Sequence, residues 1–258
     1  MSRFTRILPW FAVFVLTCFA YLWFFGLQTF FALQARKIGR EVPIVGSVPV
    51  EVEDQIVSPA KGEKVSFQGV EFDVPWSDLD DAKTRSVGNC RLVKFLSGNS
   101  ILLCVGAPGM FMDNMFKNKN AEPELFTRIY GTDVLRSDYA LMKAIYRTTP
   151  NDIGLFTPSG RAAALSSVIM IKAIAPPTTD SAIYNIRSKS FQGFQLGNPA
   201  RRPAKMCLQL YADDIEIEIS LEQSRTGPTP PVSQADLNRI IRSARKTTPP
   251  STLVTNPG

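Results

Sequence analysis

The sequence contains no histidine. That absence excludes Ser-His and Cys-His catalytic pairs and every His-ligated metal site. Cysteine is scarce. There are four, and Cys90, Cys104 and Cys207 lie outside the apolar N-terminal run. Three is an odd number, and no C-x-x-C spacing occurs, so neither a disulfide framework nor a zinc site is expected. A Walker loop, G-x-G-x-x-G and G-x-S-x-G are also missing, which removes the common signatures of phosphate cradles, dinucleotide sites and serine elbows.

Acidic residues are absent from residues 1–40, which carry Arg3, Arg6, Arg36, Lys37 and Arg40. Five of the six net positive charges therefore sit there, leaving one for residues 41–258. A nucleic-acid binder needs a basic domain face. The remainder is nearly neutral, so no nucleic-acid partner is expected.

Charge of either sign is missing from residues 7–33, a run of 27. About 20 helical residues cross a hydrocarbon core. Pro9 suits a first helical turn, Trp10 an interfacial belt, and the flanking cations suit headgroups. Cys18-Phe19-Ala20 is a weak cleavage site, and the apolar Tyr21-Leu22-Trp23-Phe24-Phe25 that follows argues against processing there. Residues 1–36 are read as an uncleaved signal anchor with one transmembrane helix, contacting the lipid bilayer through residues 7–33. A short N-terminal tail places the C-terminal domain outside the cytoplasm.

Residues 37–63 carry Pro43, Pro49 and Pro59 with Gly46 and Gly62 and read as a linker. A globular domain is expected over residues 64–246 and a disordered Thr/Pro-rich tail over 247–258. Apolar alternation at Val65 and Phe67, then at Val70, Phe72 and Val74, changes phase at Gln68-Gly69, marking a turn or bulge. A hairpin follows over residues 91–96 and 101–105. A two-residue turn at Gly98-Asn99 pairs Leu96 with Ile101, Lys94 with Leu103 and Val93 with Cys104. Both faces are then apolar, so these strands are placed in the sheet centre with Cys104 as a buried, inert thiol.

Helical stripes appear at Phe111, Met112, Met115 and Phe116, at Leu141, Met142, Ile145 and Tyr146, and at Leu165, Val168, Ile169 and Lys172. A second hairpin closes on Asp213-Asp214 and pairs Leu210 with Ile217, Leu208 with Ile219 and Met206 with Leu221. Its other face carries Gln209, Glu216 and Glu218. That face reads as wet and places the hairpin toward a sheet edge. Ser233 with Asp236 forms a capping box before the stripe Leu237, Ile240, Ile241, Ala244.

The expected fold is α+β: a mainly antiparallel sheet with helices packed on it, α/β/α sandwich-like, after one N-terminal transmembrane helix. In outline the element order resembles PsbP-like α/β/α sandwiches. No residue motif stands behind that likeness, so it implies an architecture and no function.

The acidic cluster Asp213, Asp214, Glu216 and Glu218 has the residue types for cation binding or paired-carboxylate chemistry. It has no EF-hand spacing, and it is read as the solvated edge of a hairpin. Asp78, Asp80 and Asp81 read as a loop or helix start. Ser58-x-x-Lys61 and Ser97-Gly98-Asn99 match two penicillin-binding motifs, but no K-T-G accompanies them, so they read as linker and turn. No catalytic, cofactor-binding or metal residue is assigned, and no cofactor is expected. The reading is a membrane-tethered, non-catalytic binding or assembly module with a protein or envelope partner. The alternative is an envelope-associated hydrolase using carboxylates.

Overall fold

A computed structural model of the chain describes residues 4–52, 57–59, 62–117, 122–154, 156–174, 180–224 and 231–247. It is a mixed α+β structure with a large, mostly antiparallel sheet. The central unit is the second expected hairpin, β9 (Lys205–Ala212) and β10 (Ile215–Glu222), in the register its apolar pattern demands: Leu210 opposite Ile217, Leu208 opposite Ile219, Met206 opposite Leu221. The turn is tight, but neither aspartate takes a positive φ.

This hairpin is not at an edge. The eight strands run in the order β1 (Val50–Glu51), β7 (Ile183–Arg187), β8 (Gln192–Leu196), β9, β10, β6 (Ser100–Gly106), β5 (Cys90–Lys94), β4 (Arg85–Val87). All neighbours are antiparallel except β1 and β7. Strands β9 and β10 stand in the middle and are covered on both faces.

One face packs on a small sheet, β2 (Lys64–Phe67), β3 (Val70–Asp73) and β11 (Arg245–Lys246), and on helix α6 (Gln234–Ser243). Met206, Leu208, Leu210, Ile217, Ile219 and Leu221 enter that core. The β2–β3 turn falls at Gln68-Gly69, both at positive φ, where the alternation changes phase. The capping box forms at both ends: Ser233 Oγ accepts from the Asp236 amide at 3.2 Å, and Asp236 accepts from the Ser233 amide at 2.9 Å. Leu237, Ile240, Ile241 and Ala244 are buried as expected. Ile240→Ala should cost about 2–5 kcal/mol through lost contact and a residual cavity, whereas Arg239→Ala should change stability by only about 0.5 kcal/mol. Urea unfolding of the two variants checks the docking; equal, small losses would contradict it.

The other face packs on α2 (Met110–Lys117), α3 (Pro123–Tyr130), α4 (Asp138–Arg147), α5 (Ser159–Ile174) and the C-terminal half of α1 (Phe4–Glu41). The expected linker over 37–63 is therefore not loose at its start. The helix runs to Glu41, a 3-10 turn follows at Pro43–Gly46, and Ile44 and Val45 are buried in the helical core. Gln28, Ala32 and Ala35 are buried there too. Among the described residues no single helix is long and apolar enough to cross a membrane. The segments Val13–Leu22 and Phe25–Glu41, bent by 65°, qualify together.

The β5–β6 hairpin departs from expectation. Val93 pairs with Ile101, Leu92 with Leu102 and Cys90 with Cys104, a slip of three residues. The reason is the turn. The chain closes over Phe95-Leu96-Ser97-Gly98-Asn99, with the Gly98 amide donating to the Phe95 carbonyl and the Phe95 amide to that of Asn99. Gly98 sits at φ +86°. Asp78 accepts from the Ser97 amide at 2.6 Å and Asn99 from that of Ser224 at 2.9 Å, which anchors the wider loop and swings Leu96 into solvent. An odd slip exchanges the faces of one strand, so Val93 and Phe95 join Ile101, Leu103 and Val105 in the core.

The slip also corrects the reading of Cys104 as an inert thiol. Cys90 and Cys104 stand opposite each other and form a disulfide, while Cys207 is free and buried. The native chain should therefore resist alkylation at Cys90 and Cys104 without reductant and take up two labels there after reduction. Mass spectrometry of the labelled peptides distinguishes this from a free, shielded Cys104.

Candidate functional site

The polar face of β9 and β10 is not wet; it lies beneath α2 and α4. The Tyr146 hydroxyl on α4 donates to Gln209 Oε1 at 2.9 Å. Glu216 Oε1 accepts from the Gly109 amide at 3.1 Å, just ahead of α2. Asp138, at the start of α4, accepts from the Phe111 amide at 2.7 Å and the Met112 amide at 3.1 Å. The first turn of a helix leaves amides without intrahelical partners, and its dipole favours negative charge there. Two acids from other elements thus cap α2, which brings Glu216 and Asp138 close enough to interact.

The electrostatics follow from that crowding. Burial first, and then the neighbouring Asp138 carboxyl, together push the Glu216 carboxyl up to about 8 against the opposing Gly109 amide. At neutral pH the protonated form of Glu216 is favoured. Burial also raises the hydroxyls of Tyr146 and Tyr211 and the thiol of Cys207 well above their ordinary values. Tyr211 and Glu216 separate two cavities. One, of about 150 Å³, is lined by Met110, Phe111, Asn114, Gln209 and Glu218. The other, of about 330 Å³, is lined by Met112, Arg136, Ser137, Tyr139 and Asp213.

A raised carboxyl is stabilising in its protonated form. Its contribution is fully present below the unfolded value of 4.5 and is lost as pH rises through about 8. Glu216 is partly exposed, and solvent screening discounts this to roughly 1–2 kcal/mol. Glu216→Gln fixes the neutral form. Its stability should lose that slope between about pH 5 and 8, seen as converging urea midpoints. An unchanged slope would place the proton elsewhere.

The acidic cluster of the sequence is thus split. Glu216 meets Asp138, a residue its local sequence does not single out. Glu218 is near Ser220, whose hydroxyl donates to it at 3.4 Å. Asp214 pairs with Lys246, and Asp213 lines the larger cavity. Asp78 and Asp80 lie in a loop, where Asp80 pairs with Lys83 at 2.9 Å. Ser97, Gly98 and Asn99 belong to the β5–β6 turn, while Ala60 and Lys61 lie outside the described residues. Among the described residues no three His, Cys, Asp or Glu side chains are placed to hold a metal ion.

A second concavity, of about 530 Å³, lies among α3, α4 and α5. Lys143, Arg147 and Arg161 line it above Ile129, Val134 and Leu165. Its acids are already engaged. Asp152 accepts from the Thr149 amide at 2.7 Å, and Asp133 pairs with Arg136 at 2.8 Å. Tyr130, hydrogen-bonded to Thr148, has its hydroxyl pushed up to about 12 by burial. Beneath this groove Lys172 donates to the carbonyls of Ser47, Tyr146 and Thr148 at 2.5, 2.7 and 2.9 Å. Burial lowers its amine to about 8. With three bonds for three donors, Lys172 is a joint that ties the segment after α1 to α4 and α5.

Comparison with protein-family models, curated proteins and solved structures finds no match.

Proposed function

We propose that the chain is a membrane-held binding module, with the groove among α3, α4 and α5 as its ligand face. The observation that carries this reading is the double use of α1. Its charge-free part is apolar outward, and its C-terminal half is part of the domain core. Such a helix would hold the domain at the bilayer as one piece rather than on a leash. The Cys90–Cys104 disulfide supports an oxidising compartment, hence a domain outside the cytoplasm. The groove's cations stand over an apolar floor and favour a partner with acidic groups.

The test uses the full chain in native membranes. It should resist alkaline carbonate extraction, and a photo-crosslinker at Lys143 should give a discrete adduct that Arg147→Glu with Arg161→Glu abolishes. Release by carbonate contradicts the anchor, and an adduct indifferent to the charge reversal contradicts the ligand face.

The hydrolase alternative keeps one specific support, the protonated Glu216 beside Asp138, which has the state a general acid needs. Against it, both oxygens of Asp138 already accept from α2 amides. Glu216→Gln should leave the adduct unchanged if the module reading holds.

A further inference from the structure

Helix α1 is inside out for a helix facing water. Its domain side buries Gln28, Ala32 and Ala35, with Phe31 and Ile38 partly buried against the same core. Its outer side presents Leu27, Phe30 and Leu33, exposed to 67 %, 59 % and 60 %. A surface helix of a soluble domain puts its large apolar residues inward and its polar ones outward. Small residues inward and large apolar residues outward is how a helix packs when lipid is the solvent.

Helix α5 runs beside α1 and buries Ala162, Ala164 and Ser166 together with Leu165, Val168 and Ile169. Just before α5, Phe156 is 78 % exposed, with its ring edge-on to Phe25 of α1 at 5.7 Å. The outer face of α1 then changes character within one turn. Arg36, Lys37 and Arg40 follow Leu33, all exposed.

We propose that the globular domain itself rests on the bilayer surface, with Leu27, Phe30, Leu33 and Phe156 seated among headgroups and upper acyl chains and Arg36, Lys37 and Arg40 at the lipid phosphates. This rests on the membrane-held reading and adds to it: the domain is oriented on the membrane, not merely tethered to it. Three observations select lipid as the occupant. The same helix also exposes Val13, Phe14, Leu16, Phe19 and Leu22. The axis turns by 65° between Val13–Leu22 and Phe25–Glu41, so a first segment crossing the bilayer would set the second oblique to it. The cations flanking the patch complement anionic headgroups, whereas a second copy docked on the same face would bring like charges together.

The experiment reads depth in the full chain. In a Cys18→Ser background, single cysteines at Leu33→Cys, Phe156→Cys and, at the far strand β4, Val87→Cys are labelled with an environment-sensitive fluorophore. All three positions are exposed, so the fold tolerates the change. The proteins are reconstituted in phosphatidylcholine–phosphatidylglycerol vesicles. Labels at 33 and 156 should shift to the blue, be quenched by a lipid-borne nitroxide and lose quenching by aqueous iodide. The label at 87 should behave oppositely. If the chain floats with the vesicles while labels at 33 and 156 stay iodide-accessible, the seating is wrong and the anchor stands. If both labels are shielded from iodide and from nitroxide, another copy or protein covers the face and the proposal falls. If the chain does not float, the membrane-held reading fails together with it.

Discussion

A chain shortened to residues 25–258 is expected to fold, and one shortened to residues 42–258 is not. The sequence places the domain boundary near residue 64 and treats everything before it as anchor and linker. On that reading, deletion of residues 1–40 would free a soluble domain. The structure assigns a different role to residues 25–41. Ala32 and Ala35 close the helical core against α5, and Gly39 stands against Pro150. The 3-10 turn that follows places Ile44 and Val45 in the same core, and the Ser47 carbonyl takes a bond from Lys172. Loss of residues 1–41 strips one wall from that core and uncovers the apolar flank of α5. The loss should exceed about 5 kcal/mol, comparable to the whole stability of an ordinary domain. Loss of residues 1–24 takes away the exposed Val13, Phe14, Leu16, Phe19 and Leu22 and should cost little. Near-ultraviolet circular dichroism and thermal unfolding of the two truncations check this. Cooperative unfolding of residues 42–258 would contradict the core role of α1.

The second large effect concerns the floor of the candidate site. Phe194 on β8 is fully buried and lies beneath three tyrosines. Tyr139 stacks on it at 5.4 Å, while Tyr146 and Tyr211 meet it edge-on at 4.9 and 6.4 Å. Phe194→Ala should cost about 3–5 kcal/mol through lost area and a cavity. It should also loosen Tyr146, which orients Gln209, and Tyr211, which separates the two cavities. Phe194→Leu, which keeps most of the volume, should cost about 1.5 kcal/mol or less. Urea unfolding measures both; equal losses would show that the tyrosine cluster does not depend on this ring.

The two hairpins show what was legible in the sequence. Strands β9 and β10 carry an unbroken alternation, so only one register puts all apolar residues on one face, and that register is observed. Their position was not legible. Gln209, Glu216 and Glu218 look like a solvated face, and nothing local reveals that Gly109, just ahead of α2, meets Glu216 across 107 positions or that Tyr146 of α4 meets Gln209 across 63. The β5–β6 strands are apolar on both sides, so alternation leaves their register free. The turn decides it, through long-range bonds from Asp78 and Ser224 that no local motif encodes. Strands β7 and β8 escaped notice because Asn185, Gln192 and Gln195 interrupt their apolar pattern. These two strands, like α3, owe their form to what packs on them. The candidate site was half visible. Glu216 stood out as one of a cluster, while Asp138 could be found only through the contact between α2 and α4.

Hydrogen exchange of the full chain in nanodiscs tests most directly whether α1 and the helical core are one body. Amides from Gln28 to Ile38 should be as slow as those of α5, and both should lose protection at the same denaturant concentration, because one cooperative unit opens at once. If α1 were a loosely attached tether, the Gln28–Ile38 amides would exchange independently, and protection there would disappear while α5 remained closed.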